Sequence, residues 1–192
     1  MPDPTLVVIA DAHLGAAPPQ TERDLIRFLA AMPDLGDLLL INGDLFDFWF
    51  SYRRVIPRHG LRVAAALARL REQVPIIMIG GNHDRWDDAF WRDDLGIDFA
   101  PDQRRFEAAG RQVLAVHGDG LTDPRFSARM LHWLIARRSF VASFRALHPD
   151  LAFRLVDKLA PHLGEQPVDA AVLAAAAERQ RAWAEESLEQ DR

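Results

Sequence analysis

Four short segments of the sequence place side chains that bind metals directly after apolar runs. They are Asp11-Ala12-His13, Gly43-Asp44, Gly81-Asn82-His83-Asp84 and His117-Gly118-Asp119. Carboxylate, imidazole and amide groups bind divalent ions such as manganese, magnesium, zinc and iron. The chain has no cysteine, so a thiolate site is excluded. The four segments together predict a metal site built from oxygen and nitrogen ligands.

The spacing within these segments favours two ions rather than one. Asp11 and His13 are two positions apart, so both can point to the same side of an extended backbone and bind one ion. The glycine before Asp44 permits a sharp turn, which lets this carboxylate lie between two ions. Asn82 and His117 offer an amide oxygen and an imidazole to the second ion. Two ions about 3.5–4 Å apart can hold a phosphoryl group for in-line attack.

Each segment also has a simpler explanation when it is taken alone. An Asp-x-His pair, a Gly-Asp turn, a capped Asn-His-Asp loop and a histidine at the end of a strand all occur without any role in metal binding. The four occur here together, each after a predicted strand, and this combination favours a shared site.

The elements that must position these segments are predicted from hydrophobic patterning. Short apolar runs at residues 6–10, 37–41 and 74–79 are typical of buried strands. Helical patterns lie between them, one with Thr21 as its expected N-cap and one over residues 59–73. Strands that alternate with helices predict a parallel α/β sheet covered on both faces. Sites in such sheets form beyond the carboxyl ends of the strands, where all four segments are expected to lie.

The second half of the chain changes in composition. Residues 104–108 and 111–117, separated by Gly110, predict a β-hairpin. Residues 124–158 contain seven basic residues and only two acidic ones, and large apolar residues recur among them. This pattern predicts two or three amphipathic helices. A last helix is expected over residues 168–188. We predict a core domain over residues 1–120, a basic and aromatic insertion over 121–165, and a helix over 166–192 that leads toward further chain.

Bulk properties narrow the class of protein. The net charge of −5 disfavours a general nucleic-acid binder. The first residues lack the basic segment and long apolar core of a secretory signal, and no run approaches the roughly 20 apolar residues of a membrane span. A cytoplasmic protein, bound at most to a membrane surface, is expected.

The segments DAHLG, NGDLFDFW, GGNHD and HGDG resemble, in this order, the motifs of calcineurin-like metallophosphoesterases. The match covers about residues 6–120. The resemblance implies an α/β sandwich in which helices flank the sheets, with a helical insertion as a cap. It implies two divalent ions, manganese first, with Asp11, His13 and Asp44 on one and Asp44, Asn82 and His117 on the other. It also implies that His83 is a general acid or transition-state donor, and that Asp84 orients it.

A narrower resemblance concerns the substrate. The segment GDLFDFWF resembles the GDLF-x-x-W segment of UDP-2,3-diacylglucosamine pyrophosphatases, which release lipid X and UMP in lipid A synthesis. Residues 121–163 resemble the insertion that caps their site and holds acyl chains. The implied partners are a nucleotide-activated acylated sugar and an anionic membrane surface, on the cytoplasmic side of the inner membrane, with no nucleic acid. The implied substrate-binding residues are Arg137, Arg138 and Arg145 for phosphate, and Trp133, Phe140, Phe144 and Phe153 for acyl chains.

Two departures from these relatives leave alternatives open. The pyrophosphatases of this type carry arginine at the position of His83, so a phosphoesterase with a nucleotide, nucleic-acid or phosphoprotein substrate is the first alternative. The family also ends its site with a G-H-x-H segment, which this sequence lacks. The chain is therefore expected to lack the C-terminal part of the domain, and an inactive fragment or scaffold is the second alternative. The aromatic residues Phe46, Phe48, Trp49 and Phe50 either pack in the core or form a substrate wall.

Overall fold

The structure, a computed structural model, describes residues 4–87, 89–118, 137–163 and 170–189. The chain divides into two compact units, Met1–His117 and Gly118–Arg192. The predicted domain boundary at residue 120 and the separate role of residues 166–192 remain predictions.

A four-stranded parallel sheet forms the centre of the first unit. Its strands lie side by side in chain order: β1 (Leu6–Ile9), β2 (Leu38–Asn42), β3 (Ile76–Ile79) and β4 (Asp98–Ala100). The predicted parallel α/β arrangement is confirmed. Strand β4 was not predicted, because its three residues begin with an aspartate and form no apolar run. The carboxyl ends of β1, β2 and β3 therefore meet along one edge of the sheet.

Two helices connect the first three strands. Helix α1 covers Pro19–Leu35, and helix α2 covers Leu61–Arg71 after a 3₁₀ turn at Arg58–Gly60. The expectation that Thr21 caps α1 is wrong, since Pro18 occupies the cap and Pro19 begins the helix. Proline suits the first position of a helix, here Pro19, because its fixed φ is helical and because it lacks the backbone N–H that would be left unpaired there.

The two faces of the sheet pack against different elements. Leu39, Ile41 and Met78 point to the face covered by α1 and α2, where the main core lies. The opposite face carries Leu40 and Ile79 and packs against a β-hairpin. The hairpin pairs β5 (Gln103–Ala108) with antiparallel β6 (Arg111–Val116), which confirms the turn predicted at Gly110. Its second strand ends next to His117.

An aromatic cluster fixes the path of the chain after β2. Phe46 and Trp49 are fully buried, with ring centroids 4.6 Å apart, and Trp49 also packs 4.7 Å from Trp91 of a π-helical turn at Phe90–Asp94. Phe50 is buried as well, so core packing accounts for three of the four aromatic residues in this stretch. Only Phe48 is partly exposed, and it remains a candidate for a substrate wall.

The described part of the second unit is helical. Its helices are α3 (Arg138–Arg145), α4 (Pro149–Leu163) and α5 (Ala170–Glu189). Phe140 and Phe144 lie one turn apart on α3 and stack with their ring centroids 6.3 Å apart. Among the described residues, no helix combines the length and the apolar composition needed to cross a membrane. Helices α3 and α4 confirm the helical prediction for the described part of residues 124–158, and residues 124–136 lie outside the described residues.

Candidate metal centre

The ends of β1 and β2 are joined by backbone hydrogen bonds that bring the first two segments together. The N–H of Asp11 donates to the carbonyl of Gly43 at 3.2 Å, and the N–H of His13 donates to the carbonyl of Asp44 at 3.0 Å. One ligand atom from each of Asp11, His13 and Asp44 lies within 4.8 Å of the others. This is the group predicted to bind the first ion.

The same three residues have strained backbones. Their φ angles are +55° for Asp11, +42° for His13 and +50° for Asp44. In the described ranges only two other non-glycine residues, both alanines in loops, have positive φ. The left-handed region costs roughly 1–2 kcal/mol per residue, and such strain clusters at functional sites. Three strained residues that converge on one point indicate a site for a ligand rather than a tight turn alone.

The carboxylate of Asp44 lies at the centre of the cluster and is 3% exposed. Its Oδ2 lies 3.7 Å from His13 Nε2 and 3.3 Å from His117 Nε2, and its Oδ1 accepts the N–H of His83 at 3.1 Å. Burial acts to raise the pKa of Asp44, but the hydrogen bonds from the His117 ring and the His83 N–H, with the charge on both rings, lower it overall. A carboxylate that stays ionised between two imidazoles can bridge two cations.

A carbonyl group sets the orientation of the His117 ring. His117 Nδ1 lies 2.7 Å from the carbonyl oxygen of Asn42, which can only accept, so Nδ1 carries a proton and Nε2, which faces Asp44, is the ring nitrogen that a metal ion would bind. The side chain of Asn42 in turn donates to the carbonyl of Val116 at 3.0 Å. A histidine ligand held through its second nitrogen is common in metal sites. Asn42 was not singled out from the sequence, although it precedes Gly43 in the NGD segment.

His83 is held in the same way by a different residue. Its Nδ1 lies 2.6 Å from the carbonyl oxygen of Asp47, so Nε2 is the ring nitrogen that can act on a ligand. Its ring meets that of His13 edge-on, with centroids 5.0 Å apart. His13, Asp47 and His83 also form a second group of possible metal ligands within 4.8 Å. Asp47 was overlooked, although it lies three residues after Asp44 in the GDLFDFW segment.

The orienting role expected of Asp84 toward His83 remains a prediction. The Asp84 carboxylate is fully buried and accepts backbone N–H groups. The donors are Asp44 at 3.3 Å, Leu45 at 2.7 Å, Phe46 at 3.3 Å and Gly81 at 2.8 Å. Burial, together with the negative charge of Asp44, raises the pKa of Asp84 to about 6, against the effect of these bonds. Asp84 therefore ties the loop after β2 to the loop after β3.

Gly81 and Asn82 complete the loop after β3. A Cβ atom at Gly81 would overlap the Asp44 carboxylate and lie 2.7 Å from the Asp44 backbone nitrogen, so only glycine fits here. Asn82 is partly buried between Gly81 and His83, both of which contact Asp44. This position is consistent with Asn82 as a ligand to an ion at Asp44.

The donor set fits two hard or borderline divalent ions. Carboxylate, imidazole and amide groups converge, two of the histidines have one nitrogen held by a carbonyl, and the central carboxylate is ionised. Such an arrangement can hold two cations next to each other and present a histidine to a phosphoryl group. The ligand assignments to individual ions remain predictions.

The predicted substrate-binding residues belong to the second unit. Phe140, Phe144 and Arg145 lie on α3, where Arg138 is the first residue and Arg137 precedes it, and Phe153 lies on α4. Trp133 is outside the described residues, as is Asp119. Binding of phosphate or acyl chains by these side chains remains a prediction.

Comparison with known proteins supports the family resemblance. The family model named calcineurin-like phosphoesterase matches residues 4–152. The chain is 36% identical over 113 residues to the UDP-2,3-diacylglucosamine hydrolase of Escherichia coli O81 (strain ED1a), an alignment of 59% of this chain and 47% of the relative. It is 34% identical over 115 residues to the enzyme of that name from Porphyromonas gingivalis, with 57% and 44% covered. The chain thus spans about half the length of the curated relatives it matches.

Two solved structures are also similar in part. The crystal structure of Pseudomonas putida nuclease MPE aligns with a TM-score of 0.36 and 23% identity over 50% of this chain and 46% of its own. A protein of unknown function from Aquifex aeolicus aligns with a TM-score of 0.38 and 17% identity over 68% and 70% of the two chains.

Proposed function

The chain belongs to the calcineurin-like phosphoesterase family, and from this premise we propose that it carries the metal centre of a hydrolase that cleaves the diphosphate of UDP-2,3-diacylglucosamine to lipid X and UMP. The observation that supports the phosphoesterase chemistry most directly is the buried carboxylate of Asp44 between His13 and His117, whose hydrogen bonds and nearby charges lower its pKa. The names of the curated relatives support the choice of substrate.

In this proposal Asp11, His13 and Asp44 hold one ion, and Asp44, Asn82 and His117 hold the other. Manganese is the first choice for both ions, with magnesium, zinc or iron as alternatives. When bound, the ions supply positive charge that stabilises the phosphoryl oxygens in the transition state. The carbonyl group of Asn42 keeps His117 in one orientation and that of Asp47 does the same for His83, which reduces the reorganisation needed during the reaction.

His83 is the proposed donor to the substrate. Because its Nδ1 proton is used on the carbonyl of Asp47, the ring can donate from Nε2 only when it carries a second proton. His83 then acts as a cationic donor to a phosphoryl oxygen or to the leaving group. Asp84 supports this role indirectly, since it fixes the loops that carry Asp44 and His83.

The remaining parts of the proposal concern the substrate and its surroundings. The phosphate ligands proposed for the second unit are Arg137, Arg138 and Arg145, and the acyl-chain contacts are Trp133, Phe140, Phe144 and Phe153. We place the reaction on the cytoplasmic side, at the surface of the inner membrane. An acylated substrate supports this placement, because its hydrocarbon chains favour a bilayer over water.

The proposal is tested by incubating the Mn²⁺-loaded protein with UDP-2,3-diacylglucosamine and measuring UMP. We expect UMP release by the native protein and loss of at least about 100-fold in rate for Asp44→Asn, because one oxygen and the bridging charge are removed. An Asp24→Asn variant, changed on the exposed side of α1, is the matched control. Good turnover of bis(4-nitrophenyl) phosphate with no UMP would reject the substrate, and no turnover of either compound would reject the activity.

A further inference from the structure

We propose that residues 52–62, named the arginine segment below, form a docking surface for an anionic lipid bilayer beside the metal centre. The inference rests on the proposed function, because an acylated substrate reaches the enzyme from a bilayer. The arginine segment binds the surface of the bilayer and not the diphosphate that is cleaved.

The charge of the arginine segment is of one sign. It contains four arginines and no acidic residue, in a chain whose net charge is −5. Arg53, Arg54, Arg58 and Arg62 are all exposed. Of these four, only Arg62 forms an ion pair with a described residue, a long one of 3.9 Å to Glu22. Basic residues near an anionic membrane surface are attracted to it over about a Debye length.

Exposed apolar side chains lie among these arginines. Val55 is 47% exposed and Leu61 is 57% exposed. Leu61 is the first residue of α2, whose other side buries Val63 and Leu67 in the core. A single exposed leucine needs no explanation, but aliphatic side chains interleaved with arginines are typical of surfaces that lie at the headgroup boundary.

The stretch of chain that leads into the arginine segment is hydrogen-bonded to the loop that carries His83. The N–H of Trp49 donates to the carbonyl of His83 at 2.9 Å, and the N–H of Ser51 donates to the carbonyl of Trp86 at 3.1 Å. The ring of His59 is hydrogen-bonded to the carbonyl of Phe48 at 3.0 Å. A bilayer docked on this surface would therefore lie next to the residues proposed to act on the diphosphate.

The observations favour a bilayer over other anionic ligands. A site for one phosphate group uses donors that converge in a concave pocket, whereas Arg53, Arg54 and Arg58 are exposed and the apolar residues among them are exposed too. A single-stranded nucleic acid would be expected to stack on exposed aromatic rings, and Val55 and Leu61 cannot serve that purpose.

The test is co-sedimentation of the protein with vesicles in EDTA at 0.1 M salt. We expect binding to vesicles that contain phosphatidylglycerol and much weaker binding to pure phosphatidylcholine. Arg53→Gln/Arg54→Gln should weaken the binding by about 25-fold, or about fivefold for each arginine removed. Val55→Ser should weaken it as well, and by a factor that persists at high salt. Far-UV circular dichroism checks that each variant is folded.

The control variants replace exposed arginines and an exposed apolar residue outside the arginine segment. Arg105→Gln/Arg111→Gln changes two exposed arginines of the hairpin, and Leu35→Ser changes an apolar residue that is 49% exposed at the end of α1. Both should bind vesicles as the native protein does. Equal binding to the two lipid compositions, or native-like binding by Arg53→Gln/Arg54→Gln, would overturn the proposal.

The vesicle test separates this inference from the proposed function. Sedimentation in EDTA requires neither ions nor turnover, so arginine-dependent binding without UMP release would reject the activity and keep the docking surface. UMP release without arginine-dependent binding would reject the docking surface alone. If Arg53→Gln/Arg54→Gln slows hydrolysis of a short-chain, vesicle-free substrate and leaves vesicle binding intact, the segment holds phosphate and the bilayer assignment is wrong.

Discussion

Asp44 and Asp84 are both buried carboxylates of the metal centre, and their surroundings give them different roles. Asp44 has imidazoles on two sides, and hydrogen bonds and positive charge lower its pKa in spite of burial. Asp84 has only backbone N–H partners, and burial raises its pKa to about 6. Asp44 is therefore suited to bind cations, and Asp84 to hold two loops together.

At the residue scale we predict that Asp44→Asn abolishes tight metal binding. The neutral amide has one oxygen in place of two and cannot balance two cations, so the dissociation constant for Mn²⁺ should rise at least about 100-fold. Isothermal titration calorimetry at pH 7.5 measures the change, with Asp24→Asn as the control. Unchanged affinity in Asp44→Asn would show that the ions lie elsewhere.

We also predict that Asp84→Asn destabilises the fold even without metal. The amide NH₂ group would face backbone N–H donors in a buried site, at a cost of about 3 kcal/mol in the free energy of unfolding. Urea unfolding in EDTA at pH 8 measures the difference, and Asp93→Asn, at an exposed position, should change little. A loss below about 1 kcal/mol would contradict the assigned role.

At the element scale, the loop after β3 determines the geometry of the centre. It contains Gly81, which permits the close approach of Asp44, and it continues to Asp87, which accepts a hydrogen bond from Ser51 at 3.1 Å. Asp87 also accepts backbone N–H groups at the start of the π-helical turn. This one loop thereby connects the sheet, the aromatic cluster and the residue that precedes the arginine segment.

We predict that Gly81→Ala displaces the loop after β2 and weakens metal binding. The added methyl group would overlap the Asp44 carboxylate, which can yield only if its hydrogen bonds to the loop after β3 are lost. Mn²⁺ affinity should fall at least about 10-fold. Gly110→Ala is the control, because its Cβ meets nothing within 4 Å and only its positive φ makes it costly. Native-like affinity in Gly81→Ala would mean that the two loops do not depend on each other.

A second prediction at this scale concerns the pH dependence of stability. Burial raises the pKa of Asp87 above its ordinary value of 3.8, so the native state binds more protons than the unfolded chain just above that pH. The contribution of Asp87 to the free energy of unfolding therefore decreases as the pH rises through this window. Asp87→Asn removes this contribution, so the native-minus-variant difference should decline from pH 4 to pH 7 in urea unfolding. A difference that grows with pH would reverse the assigned sign.

At the scale of the whole molecule, the sheet and the proposed metal ligands all lie in the unit Met1–His117. The family model continues to residue 152, into the second unit. The chain spans about half the length of its curated relatives, and the expected absence of the late histidine ligands remains a prediction.

We predict that Mn²⁺ stabilises the first unit through linkage. An ion that binds only the folded state adds about 2.7 kcal/mol to the free energy of unfolding when its concentration is 100 times the dissociation constant. The melting temperature measured by calorimetry should therefore rise with Mn²⁺ relative to EDTA in the native protein. Asp44→Asn should show no such rise. An equal rise in both proteins would indicate binding outside the centre.

The sequence by itself determined the features that depend on local pattern. Short apolar runs predicted β1, β2 and β3, and the ligand types that follow them predicted an oxygen and nitrogen metal centre at one edge of a parallel sheet. The strand predictions are confirmed, and the predicted ligands lie together because parallel strands bring their carboxyl ends to one edge whatever the details of the loops. Strand β4 escaped prediction because three residues carry too little pattern.

Only the tertiary structure decided which groups support the ligands. Asp84 binds backbone amides 38–40 residues earlier in the chain, the carbonyl of Asp47 orients His83, and Asn42 holds His117 across 75 residues. The burial of Phe46 and Trp49, which makes them core residues and not a substrate wall, was decided in the same way. Such contacts depend on strand register and on the path of the loops, and neither is encoded in the spacing of residues along the chain.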